Sequence, residues 1–111
     1  MALLIPSSIE TVACEYEIEF GALGILHDHP ELPALFEEMA PALREFFPSA
    51  SLSVELAIDR EGTSTYLAVF AHTALSLDEA DEKLTAFDRS WWRQNRRRAG
   101  GRVMVDVKFS P

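Results

Sequence analysis

Between Arg89 and Arg102 the chain carries six arginines and no acid, three of them in the run Arg96-Arg97-Arg98. Guanidinium groups so spaced can fork onto a carboxylate or phosphate, or neutralise a nucleic-acid backbone. Arg93, Arg96, Arg97 and Arg98 are therefore the candidate anion-binding residues. The bland alternative is electrostatic, because cations at a helix C-terminus complement the negative end of its dipole. No nucleic-acid motif accompanies them. The segment from Gly62 to His72 lacks the basic-Gly-aromatic opening of an RNA-recognition strand, so nucleic acid is not an expected partner. The tandem Trp91-Trp92 just upstream offers a stacking platform for a base or a sugar. At helical spacing, however, Trp91 completes an apolar stripe and anchors a core. Trp92, turned about 100° from it, reaches the edge of that stripe, where a half-exposed indole suits an interface.

His27-Asp28-His29, with Glu31 close by, presents ligand types for a divalent metal. The spacing matches no ligand motif, and Asp28 also stands where a helix cap belongs, so no metal is assigned. Gly21-Ala22-Leu23-Gly24 and Gly100-Gly101 have neither the spacing nor the lysine of a phosphate loop. Cys14, the single cysteine, excludes an intrachain disulfide and is expected to be an inert buried side chain. Glu15, Glu17 and Glu19 alternate with apolar residues and read as a solvated strand face. No catalytic residue and no cofactor are assigned.

The formal charge of −8 is uneven, since outside the arginine segment four basic residues stand against eighteen acidic ones. A surface of that sign repels nucleic acid and anionic membranes at long range. At 111 residues, 48% apolar and 25% charged, the chain is expected to fold as one domain over residues 1–111. Met1-Ala2-Leu3-Leu4-Ile5-Pro6 has no basic leader and too short an apolar run for a signal peptide. Nothing approaches the roughly 20 apolar residues needed to cross a bilayer. A cytoplasmic protein is the expectation, with no membrane partner.

Positioning these groups falls to six predicted elements. Thr11 to Phe20 alternates as a strand, although Ile9, Val12, Tyr16 and Phe20 also fall near one helical stripe. Gly21 and Gly24 mark a turn. Asp28 and Pro30 open a helix with the stripe Leu32, Leu35, Phe36, Met39, Leu43 and Phe46. Pro41 inside it predicts a kink or a restart. Ser51 to Asp59 alternates again, and Asp59-Arg60-Glu61-Gly62 resembles a type I turn closed by a left-handed glycine. A three-residue loop would set Leu52, Val54 and Leu56 against Tyr66, Ala68 and Phe70. A loop one residue different would send Leu67, Val69 and Ala71 to the core instead. Either way the third strand is apolar on both faces, the mark of a central strand. Ser76 and Glu79 form a capping box for a helix with Leu77, Ala80, Leu84, Phe87 and Trp91 inward. Gly100 or Gly101 ends it in the left-handed region, and Val103 to Phe109 alternates as the last strand.

The string βαββαβ resembles the ferredoxin-like fold, which implies an α+β domain with a four-stranded antiparallel sheet, two helices on one face, and the first and third strands central. Such a sheet leaves one face open. The third strand would place apolar groups there: Leu67, Val69 and Ala71, or Tyr66, Phe70 and His72 in the other register. A large exposed apolar patch is unusual on a monomer, so the leading expectation is a non-enzymatic interaction or regulatory module forming a homodimer through Leu67, Val69, Ala71 and Trp92. An alternative is a small dimeric α+β-barrel enzyme that uses His72 or His27 and a Trp-lined pocket on a small apolar substrate. Its signature would be a cavity of a few hundred Å³ beside a histidine. A nucleic-acid binder using Arg93 to Arg102 is the third class.

Overall fold

A computed structural model describes residues 9–109; the apolar opening Met1-Ala2-Leu3-Leu4-Ile5-Pro6 lies outside the described residues. The elements are α1 (Ile9–Glu15), β1 (Tyr16–Ile18), α2 (Leu23–Asp28), α3 (Glu31–Phe46), β2 (Ser51–Ile58), β3 (Thr65–Thr73), α4 (Leu77–Phe87) and β4 (Val103–Phe109). A 3-10 turn at Phe20–Ala22 joins β1 to α2. Past Phe87 the coil of α4 runs on through a π-helical turn (Asp88–Trp92), one α-turn (Arg93–Asn95) and a 3-10 turn (Arg96–Ala99). The fold is α+β with a four-stranded sheet. Among the described residues, no helix is long and apolar enough to cross a membrane.

The sheet is mixed and its strands stand in sequence order, β1-β2-β3-β4. The hairpin pair β2–β3 is antiparallel, while β1–β2 and β3–β4 are parallel. This corrects the antiparallel ferredoxin-like expectation, and the cause lies in the first element. Ile9 and Val12 of α1 pack towards α3, burying Val12 completely, and Tyr16 at the start of β1 is nearly buried against Phe36 of α3. The first half of the segment expected as one long strand, Thr11 to Glu15, is thus helix, and only Tyr16 to Ile18 keep the extended form. Only three residues are left to pair. So short a strand takes the margin beside β2, and β2 rather than β1 becomes central. Cys14, expected inside, is exposed on α1. β3 lies between β2 and β4, the internal place that its doubly apolar pattern implies.

One hydrophobic cluster joins the helices to a single face of the sheet. Leu35, Phe36, Met39 and Leu43 of α3, Phe87 of α4, and Leu52, Val54, Leu67, Val69 and Ala71 of the central strands all belong to it. The rings of Phe46 and Phe87 meet edge to face at 6.3 Å, which ties the two long helices together on that side. With strands in sequence order and both connecting helices on one face, the crossovers β1-α3-β2 and β3-α4-β4 must have opposite hands. One of them is therefore left-handed, the rare hand for such a connection.

Local chemistry explains the element ends. α3 passes through Pro41 without a restart, with the proline on its exposed side. Pro30, not Asp28, precedes the first residue of α3, and Asp28 ends α2 in the stretch expected as a turn. The Ser76 hydroxyl accepts the Glu79 N–H at 3.2 Å and donates to the Glu79 carboxylate at 3.0 Å, a cap close to the expected one. Leu77, expected inward, is exposed at the first turn of α4. Gly100 and Gly101, both with positive φ (60° and 77°), end the C-terminal coil.

Candidate functional site

The hairpin decides which side chains the sheet presents. Val54 pairs with Val69, Leu56 with Leu67 and Leu52 with Ala71. The loop is one residue longer than the three-residue form, because Asp59 N–H bonds the Ser64 carbonyl at 2.9 Å and so encloses Thr63 within the loop. Leu67, Val69 and Ala71 are fully buried under the helices. They cannot form the open face, which corrects their assignment as interface residues. Its β3 stripe is the other set: Tyr66, Ala68, Phe70 and His72.

Around that stripe the register places Ser53 beside Phe70 and Glu55 beside Ala68 on β2. Met104, Asp106 and Lys108 of β4 flank Ala68, Phe70 and His72 on the other side. Lys108 and Glu55 form an ion pair that reaches across β3, and the ammonium sits 4.4 Å from the Phe70 ring centroid. The face is thus a central apolar stripe, Tyr66-Ala68-Phe70 with Met104, overlaid by one cation and one anion. The stripe was readable as the alternative register of β3. Ser53, Glu55 and Lys108 were not singled out, though they are the polar phase of alternating strands and so must share this face.

At one end of the face, Ser53 Oγ and His72 Nε2 are 2.8 Å apart. His72 also lines a cavity of about 560 Å³ with Phe46, Phe47, Leu75 and Lys83. A hydroxyl at this distance from an imidazole can be activated by it as a nucleophile. Neither tryptophan lines this cavity. His27 is exposed on α2, and His29 Nδ1 lies 3.4 Å from Glu31 Oε1. Among the described residues, no three His, Cys, Asp or Glu side chains gather as a metal site.

The arginines divide into two kinds. Arg93 donates to Asp88 at 3.1 Å, one turn earlier on the same coil. Arg98 donates to Glu38 of α3 at 3.0 Å and to Asn95 at 3.1 Å, pinning the end of the coil to α3. The Arg98 hydrogen bond holds the Glu38 carboxyl below its usual range, and Glu38 in turn raises Arg98. Arg96 and Arg97 instead line a groove of about 650 Å³ with Trp92, Leu84, Val103 and Val105. Trp91 stacks on Phe87 at 5.9 Å and Trp92 on Trp91 at 6.3 Å, and both indoles are half-buried. This ladder of rings sits at the junction of α4 with the π-turn. The π-turn Asp88–Trp92 contains both tryptophans and follows directly on Phe87.

No family model, curated protein or solved structure matches this chain.

Proposed function

We propose that the protein is a non-enzymatic interaction module that self-associates through the open face of its sheet. One observation carries the reading: Tyr66, Ala68, Phe70 and Met104 form a continuous apolar stripe on the face that no helix covers. A second copy is the occupant that this face suits. Glu55 and Lys108 neutralise each other over the stripe within one chain, so two copies can meet there without burying an unpaired charge. Sedimentation equilibrium at micromolar concentration should give twice the chain mass. Phe70→Glu should weaken the dimer by about 2 kcal/mol or more, roughly thirtyfold. Leu77→Glu, on an exposed leucine of α4, should leave it intact. A monomer mass for the unaltered chain would overturn the proposal.

A catalytic reading draws on a different observation, the Ser53–His72 pair beside its cavity. His72, which lines the cavity, can accept the proton of the Ser53 hydroxyl, the group that would attack a small apolar ester. On this reading p-nitrophenyl acetate is hydrolysed faster than in buffer, and both Ser53→Ala and His72→Ala abolish the excess. Turnover at the buffer rate, or turnover unchanged in both variants, eliminates it.

A further inference from the structure

We propose that the groove between α4 and β4 binds a small amphipathic carboxylate, with its apolar body against Trp92, Leu84 and Val105 and its carboxylate on Arg96 and Arg97. The inference does not depend on self-association, because the groove opens on the helical side of the sheet.

The groove exists because the helical layer stops short of the marginal strand. Val103, Val105 and Val107 pair with Leu67, Val69 and Ala71 and face the same side. The three β3 residues are fully buried, yet the three valines of β4 are only half-buried. The π-turn carries the coil past this strip, bringing Trp92 to its wall and Arg96 and Arg97 to its rim. The resulting volume, about 650 Å³, falls within the range of roughly 300–1,000 Å³ typical of small-molecule sites.

Charge selects the ligand class. Arg93 and Arg98 are spent on Asp88 and Glu38, and Asp88, which also lines the groove, is held by Arg93. Among the described residues Arg96 and Arg97 form no ion pair. Two free guanidinium groups beside an apolar wall match a single anionic head on an aliphatic or aromatic body. A polyanion fits less well, because the chain as a whole carries −8 and repels an extended negative ligand.

Octanoate and octanol share a tail and differ in the head, so titration calorimetry with both separates the two parts of the claim. Octanoate should bind at least about tenfold more tightly than octanol, in line with hydrogen bonds to charged groups. It should also shift the emission of the stacked tryptophans. The double variant Arg96→Gln/Arg97→Gln should lose about tenfold or more in octanoate affinity, with octanol binding and the thermal midpoint unchanged. Equal affinity for the two probes, undiminished octanoate binding by the double variant, or no response to millimolar octanoate would each overturn the proposal. Sedimentation of the same samples reports the self-association separately.

Discussion

Asp59 shows one carboxylate steering a core. Its Oδ1 accepts the Thr63 N–H at 2.9 Å, and its Oδ2 accepts the hydroxyls of Thr63 at 3.0 Å and Ser64 at 2.6 Å. These bonds favour the four-residue loop, and with it the register that sends Leu67, Val69 and Ala71 inward. The Ser64 hydroxyl and the Thr63 N–H, bonding the ionised form, hold the Asp59 carboxyl far below its ordinary value of 3.8. A depressed folded-state value stabilises the fold above the unfolded value, and that contribution is lost as pH falls from 3.8 towards the lower folded value. Asp59→Asn should therefore melt below the unaltered protein at neutral pH, and the gap should close on acidification below 3.8. A gap independent of pH would show that the ionised carboxylate is not what holds the loop. The turn itself was legible, including Gly62 in the left-handed region at φ 71°. Its length was not, because the reach of a carboxylate to residues four and five positions on is set by folded geometry.

Among the elements, the clearest local signals match their reading, whereas the glycine-marked turn gives way to α2 and Pro41 does not break α3. Ser76 caps α4, and the alternation of β2 and β4 gives strands. Residues 9–20 carry both periods, and the fold uses each in turn: helix to Glu15, where Val12 is buried, then strand from Tyr16 to Ile18. The Tyr16 hydroxyl donates to the Phe36 carbonyl at 2.7 Å, and burial raises its proton affinity well above the ordinary phenol. The π-turn has no sequence signature in Asp88-Arg89-Ser90-Trp91-Trp92, so the stacked pair could not be foreseen from an ideal helix. Two glycines give opposite predictions. Gly24 lies within α2 with nothing near its missing Cβ, so Gly24→Ala should raise stability by about 0.5–1 kcal/mol. Gly100 holds a positive φ of 60°, and a side chain there would also press on Arg102, so Gly100→Ala should cost about 1–2 kcal/mol. Urea midpoints read both. Equal effects at the two positions would contradict the conformational argument.

At the scale of the whole molecule, the two candidate surfaces lie on opposite sides of one sheet. The open side shows the stripe that Phe70 centres, and the helical side shows the half-covered valines of β4. This division explains why Arg93, Arg96, Arg97 and Arg98, adjacent in sequence, have different roles. Arg98 reaches Glu38, sixty residues away in the chain, while Arg96 and Arg97 border the space that the helices leave. Periodicity, caps and turn residues determined most elements and the doubly apolar character of β3, because each of these is set by neighbours a few positions apart. Tertiary structure alone decided the strand order, the parallel pairings, the hand of each crossover and the partner of each arginine. Those outcomes turn on which buried faces fit together across the chain, and spacing along it carries no record of that fit.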